Sequence, residues 1–299
     1  MNSGISLWSE LEQGPKPLPL IDLPVALFGN VPNFKMLYLP AAHPEINGNK
    51  WFKLKHHLLL AKANRADTLL SFGGIHSNHL RALAKACKIY GFHCKAIVRG
   101  EQPNFETPTL NALKAVGAEI QFVSRTEYRD HKEELAIVFA GENLKSTYII
   151  DEGGFGEPAL LGSSEIAQFI PEGTDEVWLP VGSGATLAGL ALALAGTQTK
   201  IRGISAVKGD DLLTLKILEA IEGRAYAQFE MDFNWHQGGF AKLTPVITQF
   251  MTEWNAVSNI QIEHVYNAKA LYGLQQTLVS IPDFQNKKVV YIHTGGTDI

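Results

Sequence analysis

The stretch KMLYLPAAHPEINGNKWFKLKHHLLLAK, Lys35–Lys62, contains the signals for a strand, a tight turn and a helix, in that order. Asn47 and Gly48 are a strong turn signal, because both residue types tolerate the backbone angles of a tight turn. The apolar spacing that begins at Phe52 predicts an amphipathic helix, which starts one residue after Lys50. Lys50 is therefore either an exposed basic residue in a turn or an amine presented for chemistry.

Alternation of strand and helix patterns continues along the chain. Short runs rich in Val, Ile, Leu and Tyr include TLLSF, CKAIV, EIQFV and EVWLPV, and each leads to a helical pattern, such as YRDHKEELAIVFAGE after EIQFV. This alternation predicts an α/β fold with mostly parallel, open sheets and helices on both faces. Such sheets bind ligands beyond the carboxyl ends of their strands, so the loops there are the candidate sites.

Composition excludes several classes of function. The chain has 299 residues, enough for one large or two modest domains, with a formal charge of −4 and a pI near 6.2. It therefore lacks a basic field for nucleic acid, and its longest apolar run, LAGLALALAG, is too short to span a membrane. No signal-peptide pattern is visible at the N-terminus. Cys87 and Cys94 fit neither a disulfide framework nor a zinc site, so the expected location is cytoplasmic.

The loop SFGGIHSNHLRALA, Ser71–Ala84, joins a strand to a helix. Ser77 or Asn78 is at the position of a helix cap. Capping explains one polar residue but not the whole Gly-Gly-x-His-Ser-Asn run. Because free N–H groups and the helix dipole favour an anion there, the run indicates a ligand as the alternative to a simple cap. His76 and His79 have no cysteine or carboxylate near them in sequence, so we expect no metal site.

Two further glycine-containing loops follow strands. EVWLPVGSGATLAGLALAL, Glu176–Leu194, passes from a strand through small residues into a helix. Small residues let backbone N–H groups approach an anion, and the hydroxyls of Ser183 and Thr186 add donors. Leu187 replaces the third glycine of a dinucleotide fingerprint, and no Gly-Lys-Ser/Thr follows, so the loop predicts either another kind of phosphate site or a plain turn. The chain end IHTGG is a weaker signal.

A poised lysine, an anion-binding loop and a polar helix start together indicate one cofactor, pyridoxal phosphate. Its aldehyde requires a lysine amine and its phosphate a glycine-rich helix start. Its ring hydroxyl oxygen, O3′, requires a donor side chain. Each of these requirements has a candidate in the loops described above.

The sequence resembles one group of fold-type-II pyridoxal-phosphate enzymes, the 1-aminocyclopropane-1-carboxylate deaminase and D-cysteine desulfhydrase family. The motifs NGNKWFKLKHHL, GGIHSNHLRALA, DEGGFGEPALLGSSEI, PVGSGATLAGL, VYNAKALYGL and IHTGG occur in the family's order. The resemblance implies two α/β domains of the tryptophan synthase beta type, with the cofactor in the cleft. Residues 1–51 and 159–299 would form the large domain, and 52–158 a smaller inserted one. It also implies a homodimer.

The resemblance assigns the cofactor contacts by position. Lys50 matches the family's Schiff-base lysine, Lys53 a second lysine of the same motif, and Asn78 the residue that bonds O3′. Asn267 and Thr294 are the two candidates for the contact with the pyridine nitrogen. The phosphate cup corresponds to Gly182, Ser183, Gly184, Ala185 and Thr186.

Substrate and catalytic contacts follow in the same way. Ser77 matches a hydroxyl that handles substrate, and with the amides of Asn78 and His79 it should meet the substrate carboxylate. Tyr266, in VYNAKA, matches an active-site tyrosine. The resemblance thus implies a catalytic set of Lys50, Ser77 and Tyr266.

Four positions depart from the family pattern. Phe240 is the nearest match to a second tyrosine, and a phenyl ring cannot donate a proton. Phe155 replaces a serine, which should make the substrate pocket narrower and more apolar. His76 replaces a glutamine, and Asn267 replaces a glutamate of the deaminases. Because a carboxylate would hold the ring nitrogen protonated, Asn267 predicts a neutral ring and a weaker electron sink.

These features predict a lyase that acts on a small amino acid. The first prediction is the D-cysteine reaction, a β-elimination that gives sulfide, ammonia and a 2-oxo acid, with Lys50 taking and returning the α-proton or assisting nearby. The second prediction is deamination of 1-aminocyclopropane-1-carboxylate. The alternative from another class is a protein that binds pyridoxal phosphate or an amino acid with little catalysis. Phe240 and Phe155 favour that alternative, whereas the retention of Lys50 and Ser77 opposes it.

Overall fold

The computed structural model describes residues 7–13, 16–209, 212–281 and 284–296, which form two compact α/β units. The four-stranded unit comprises Lys50–Gly162 together with the helix Leu7–Gln13. The six-stranded unit comprises Lys16–Asn49 and the described residues of Ser163–Asp298. Both units are built on open and mainly parallel sheets, which confirms the predicted fold class.

Ten strands occur among the described residues. They are β1 (Leu20–Asp22), β2 (Phe34–Tyr38), β3 (Thr68–Gly74), β4 (His93–Arg99), β5 (Glu119–Val123), β6 (Thr147–Ile150), β7 (Glu176–Val181), β8 (Lys200–Ser205), β9 (Phe229–Asp232) and β10 (Val289–His293).

Twelve α-helices occur in the same part of the chain, and none of them is both long enough and apolar enough to cross a membrane. They are α1 (Leu7–Gln13), α2 (Val25–Phe28), α3 (Asn49–Ala63), α4 (Asn78–Tyr90), α5 (Pro108–Ala115), α6 (Arg125–Asp130), α7 (Lys132–Ala140), α8 (Glu157–Ser164), α9 (Ala185–Ala193), α10 (Leu212–Ala220), α11 (Pro245–Val257) and α12 (Asn267–Ser280). Short 3-10 helices cover Leu39–Ala42, Gly141–Ser146, Glu152–Gly154, Glu165–Phe169 and Phe284–Asn286.

The four-stranded unit has the strand order β5-β4-β3-β6, and all its pairs are parallel. Its core includes Leu70, Phe72 and Ile97 from neighbouring strands, packed with Tyr128 of α6. Helix α4 packs against β3 and β4. The loop between β3 and α4 therefore begins at the carboxyl end of a central strand, where ligands of α/β sheets are bound.

The six-stranded unit has the order β1-β2-β10-β7-β8-β9, in which only the β1–β2 pair is antiparallel among the described strands. Strands β7 and β10 are buried at every position, as expected for central strands covered on both faces. Trp178, Trp254 and Tyr291 are the largest side chains of its core. Because β7 and β10 are parallel neighbours, the loops that follow them emerge at the same edge of the sheet.

The predicted division into residues 1–51 with 159–299 and an insertion of 52–158 stays a prediction, and the compact units differ from it at the N-terminus. Helix α1 belongs to the four-stranded unit rather than to the larger one. The reason is aromatic packing, because the Trp8 ring lies 5.1 Å from that of Tyr90 and 5.9 Å from that of Phe92. The insertion itself runs from Lys50 to Gly162.

Candidate functional site

The loop after β7 has the backbone of an anion site. Gly184, the N-cap residue of α9, has a φ of +93° and no side chain with which to cap the helix. A Cβ at Gly184 would lie 2.6 Å from Cγ1 of Ile217, and a Cβ at Gly182 would lie 3.0 Å from Cε1 of Tyr266. The positive φ and the short contact require glycine at Gly184, whereas a Cβ at Gly182 would require the Tyr266 ring to shift by a few tenths of an ångström. The first N–H groups of α9 have no acceptor within the helix. This geometry suits a phosphate.

The other predicted phosphate-cup residues complete this loop. Ser183 lies between the two glycines and is half-buried. Ala185 and Thr186 are buried in the first turn of α9, and Oγ1 of Thr186 accepts a hydrogen bond from Nδ2 of Asn49 at 3.0 Å. The loop is thereby tied to the residue that precedes Lys50.

The turn before Lys50 is closed against the C-terminal loop. Gly48 has a φ of +63°, and a Cβ there would lie 2.1 Å from the carbonyl oxygen of Thr294. The same oxygen accepts a hydrogen bond from the N–H of Asn49 at 3.0 Å. Helix α3 begins at Asn49, so the prediction that the helix starts after Lys50 is wrong. Glycine lets the chain enter the helix directly from the turn, which places Lys50 in its first turn.

Tyr266 and Phe240 form a second part of the six-stranded unit's candidate site. Their rings are 6.0 Å apart in an edge-to-face arrangement, and Tyr266 packs on Gly182 of the glycine loop. Phe240 is 41% exposed. Its loop is held by Lys269, a fully buried residue whose ammonium donates to the carbonyl oxygen of Gly239 at 2.7 Å. Burial lowers the pKa of Lys269.

Asn267 is fully buried, and its amide is completely used within the protein. Its Nδ2 donates to Oε1 of Glu263 (3.1 Å) and to the carbonyl oxygen of Gly295 (2.8 Å). Its Oδ1 accepts from the hydroxyl of Tyr291 (3.0 Å) and from the N–H of Thr294 (3.2 Å). Two donors and two acceptor positions are all that an asparagine amide offers. The predicted contacts of Asn267 and Thr294 with the cofactor ring stay predictions.

In the four-stranded unit, the predicted substrate residues lie at the start of α4. Ser77 is the N-cap residue, and its Oγ accepts from the N–H of Leu80 at 3.2 Å. The capping role considered from the sequence is therefore present. Asn78 is the first helical residue, and its Oδ1 accepts a hydrogen bond from the guanidinium of Arg81. Its amide nitrogen remains the group suited to donate to a cofactor oxygen.

His79 is buried against the short 152–154 helix of the four-stranded unit. Its Nε2 lies 2.9 Å from Oγ of Ser71, which donates its own proton to the carbonyl oxygen of Ile150 at 2.7 Å. Nε2 is thus the protonated ring nitrogen, and Nδ1 is a buried acceptor that has no hydrogen-bond partner among the described atoms. Burial first, then the positive charges of Lys50 and Lys53, hold the pKa of His79 well below its usual 6.5.

The remaining predicted residues of the four-stranded unit lie nearby. Lys53 donates to the carbonyl oxygen of Gly153 at 3.1 Å. A Cβ at Gly154, where φ is +71°, would lie 3.1 Å from the His79 ring, and Phe155 follows this glycine pair directly. His76 is exposed. No group of three or more His, Cys, Asp or Glu residues suited to a metal was found in the described ranges.

The predicted site residues thus fall into two groups, one in each unit. The four-stranded unit holds Lys50, Lys53, Ser77, Asn78, His79 and Phe155, and the six-stranded unit holds Gly182–Thr186, Phe240, Tyr266, Asn267 and Thr294. Sequence reasoning missed two buried charged residues, Glu263 and Lys269. Glu263 lies three residues before Tyr266, and Lys269 lies two residues after Asn267 in the motif VYNAKALYGL. This closeness to two predicted site residues was the available signal.

Known proteins provide an independent assignment of family. A family profile described as pyridoxal-phosphate dependent enzyme matches residues 12–295. The chain is 28% identical over 278 residues to the bifunctional D-cysteine desulfhydrase/1-aminocyclopropane-1-carboxylate deaminase, mitochondrial, of Arabidopsis thaliana, with 84% of this chain and 69% of the relative covered. It is 28% identical over 264 residues to a putative 1-aminocyclopropane-1-carboxylate deaminase of Pyrococcus horikoshii, with 84% and 80% covered.

Solved structures show the same fold. A crystal structure of an ACC (1-aminocyclopropane-1-carboxylate) deaminase homologue superposes with a TM-score of 0.79 at 24% identity, covering 99% of this chain and 96% of that one. At this level of identity the similarity supports the fold, while the family assignment comes from the sequence profile.

Proposed function

Because the chain belongs to the pyridoxal-phosphate dependent enzyme family, we propose that it is a lyase acting on a small amino acid, with the D-cysteine desulfhydrase reaction as the first assignment. That reaction breaks the bond between Cβ and sulfur and yields sulfide, ammonia and a 2-oxo acid. Deamination of 1-aminocyclopropane-1-carboxylate is the second candidate, because both activities occur in the name of one relative.

The observation that carries the proposal is the fit of the glycine loop to the cofactor's phosphate. A Cβ at Gly184 would collide with Ile217 and a Cβ at Gly182 would crowd Tyr266, so glycine at both positions leaves bare backbone at the start of α9. A helix start of this kind binds phosphate through its N–H groups and its dipole. When bound, pyridoxal phosphate supplies the electron-withdrawing ring that stabilises negative charge at the α-carbon of an amino acid.

Lys50 is the residue we propose for holding the cofactor and for moving the α-proton. Its place in the first turn of α3 is fixed through Asn49, which bonds both Thr186 and Thr294. A lysine acts as a base only after it loses its own proton, and a preorganised backbone is needed to aim its amine. Lys53 donates to Gly153 and contributes positive charge beside the 152–154 helix.

The start of α4 is the part we propose for binding the substrate carboxylate. Oγ of Ser77 accepts from Leu80, which leaves its O–H proton to donate to an anion. The N–H groups of Asn78 and His79 lie in the first turn of the helix and have no acceptor within it. Three donors at a helix start suit a carboxylate.

Two features favour β-elimination over opening of a cyclopropane ring. Asn267 supplies no carboxylate for a ring nitrogen, because it is neutral and its amide is occupied. Phe240, beside Tyr266, supplies no second hydroxyl for proton transfer. The chain is therefore suited to a reaction with a good leaving group, such as the sulfur of cysteine, because such a reaction demands less stabilisation of negative charge on carbon. The absence of a hydroxyl at Phe240 also favours the alternative function, a protein that binds pyridoxal phosphate or an amino acid with little catalysis.

The test is turnover by the protein purified with pyridoxal phosphate. D-Cysteine, L-cysteine, D-serine and 1-aminocyclopropane-1-carboxylate are supplied in turn, and 2-oxo acid and sulfide are measured. We expect product from D-cysteine, loss of product in Lys50→Ala, and wild-type turnover in Lys62→Ala, which changes an exposed lysine of the same helix. Bound cofactor without product from any of the four would support the binding protein, and turnover that survives Lys50→Ala would refute the role of Lys50.

A further inference from the structure

Glu263 is a buried carboxylate surrounded by donors. Its oxygens accept hydrogen bonds from the backbone N–H groups of Val265 (2.7 Å), Tyr266 (3.0 and 3.1 Å) and Asn267 (2.7 Å). They also accept from Nδ2 of Asn267 at 3.1 Å. Helix α12 begins at Asn267, so Glu263 caps this helix from outside. The carboxylate presents acceptors on every side, which no neutral side chain of this size reproduces.

This carboxylate selects one orientation of the Asn267 amide. As oriented, Nδ2 faces two acceptors, Glu263 and the carbonyl of Gly295, while Oδ1 faces the donors of Tyr291 and Thr294. Rotation of the amide by half a turn would place its oxygen against a carboxylate and a carbonyl. It would also place the NH₂ group against the N–H of Thr294. A buried amide cannot tolerate these unpaired contacts, so the orientation is fixed.

The backbone held by Asn267 is the one on which the turn before Lys50 closes. The carbonyl of Thr294 accepts from the N–H of Asn49 at 3.0 Å, and the N–H of Gly296 donates to Oδ1 of Asn47 at 3.2 Å. A Cβ at Gly295 would lie 2.2 Å from that same oxygen of Asn47. With no side chain between the two segments, a shift of one backbone must move the other.

We propose that Glu263 is a positioning residue for Lys50, because through Asn267 it fixes the Thr294–Gly295 backbone against which the turn ending at Asn49 closes. The inference rests on the proposed function in one respect, the use of Lys50 as the lysine that holds the cofactor. A displacement of about 1 Å at a reacting group typically costs about 100-fold in rate. Glu263 thus acts on the chemistry without touching substrate or cofactor.

The test compares Glu263→Gln with a matched control, Glu176→Gln. Glu176 is a carboxylate of the same unit that is equally buried, accepts from Nε1 of Trp178 at 2.8 Å and pairs with Lys287. These contacts lie outside the hydrogen bonds that lead to the turn. Two measurements that require no turnover are made on the full chain. The first is hydrogen exchange of the Asn49 amide in the cofactor-bound protein, and the second is the pH dependence of Lys50 modification by an amine-reactive reagent after the cofactor is removed.

We expect Glu263→Gln to speed exchange of the Asn49 amide by about tenfold or more, because its hydrogen bond to Thr294 opens more often. The pH midpoint for modification of Lys50 should also shift. Glu176→Gln should leave both at wild-type values while lowering the free energy of unfolding. Wild-type exchange and wild-type Lys50 reactivity in folded Glu263→Gln would overturn the proposal.

If Glu263→Gln does not fold, Glu263→Asp takes its place, because aspartate keeps the charge and both acceptors but has a shorter reach. An intermediate increase in exchange at Asn49 is then expected, and wild-type exchange would overturn the proposal in the same way. Failure of the proposed function has a different signature, which is the absence of product from wild-type protein with every amino acid supplied. Exchange and Lys50 reactivity still report on positioning in that case.

Discussion

Replacing Gly184 by alanine tests whether the glycine loop is shaped by backbone conformation and by the lack of a side chain. The φ of +93° disfavours any residue with a Cβ, which costs about 1–2 kcal/mol. The added methyl would also lie 2.6 Å from Cγ1 of the fully buried Ile217, and overpacking of this kind costs about 1–3 kcal/mol. The free energy of unfolding of Gly184→Ala should therefore fall by about 2–5 kcal/mol.

Further variants separate the two costs. Gly196 has a φ of +80°, and nothing lies within 4 Å of the position that a Cβ would take, so Gly196→Ala measures the conformational cost alone, about 1–2 kcal/mol. Ile217→Ala alone should cost about 2–5 kcal/mol, because it leaves a cavity. In the double variant Gly184→Ala/Ile217→Ala the new methyl enters that cavity, so the loss should be smaller than the sum by about 1 kcal/mol or more.

Denaturant unfolding of these variants and of the wild type, each purified with pyridoxal phosphate, measures these differences. Cofactor dissociation constants measured alongside should rise for Gly184→Ala and stay at the wild-type value for Gly196→Ala, because only the former displaces the start of α9. Additive losses in the double variant would refute the steric reasoning. Equal losses in Gly184→Ala and Gly196→Ala would do the same.

Three other outcomes are expected. Burial lowers the pKa of His57 and of His293 from 6.5 to about 4, so the unfolded chain takes up these protons before the folded chain does as the pH falls. The free energy of unfolding should therefore be highest above pH 6.5 and should fall by about 3 kcal/mol for each histidine by pH 4. His57→Gln should make this pH dependence, measured by urea unfolding, less steep. Phe240→Tyr places a hydroxyl beside Tyr266 and should raise turnover of 1-aminocyclopropane-1-carboxylate by about tenfold or more, whereas Phe240→Leu should not; equal rates would contradict the importance of that hydroxyl. Ser71→Ala removes the acceptor of the His79 N–H and should cost about 1–3 kcal/mol in denaturant unfolding; a neutral effect would show that the N–H finds another partner.

The regular part of the fold was predictable from local patterns. EIQFV and EVWLPV coincide with β5 and β7 residue by residue. Strand β7 is a short apolar run that is buried at every position, whereas β5 is an edge strand in which only Val123 is buried, and its signal is the run of strand-forming residues. The strand Phe229–Asp232 lacks such a run and was missed. The pattern YRDHKEELAIVFAGE predicted one helix, but the chain breaks at His131 between α6 and α7. The hydrophobic periodicity continues across His131, so the sequence pattern does not indicate that one helix ends there and another begins.

The placement of the candidate residues in loops and at helix starts was predictable, but their hydrogen-bond partners were not. Glycine and hydroxyl residues after strands mark where loops bind ligands, and the structure places Gly184 at the start of α9 as expected. The partner of Thr186, however, is Asn49, which is 137 residues away in sequence. A hydrogen bond of that kind depends on side-chain placement in the folded chain, for which local sequence holds no information.

Asn267 shows how a residue's meaning depends on such partners. From the sequence, an asparagine in place of a glutamate predicts a neutral contact to the cofactor ring. In the structure its amide is consumed by four groups, among them Glu263, a carboxylate four residues earlier in the chain. Asn267 also holds the backbone of Thr294, the other candidate for the contact with the ring nitrogen, and both contacts stay predictions. Asn267→Asp should therefore destabilise the Thr294–Gly295 loop, because the new carboxylate would be repelled by Glu263, rather than create the electron sink of the deaminases.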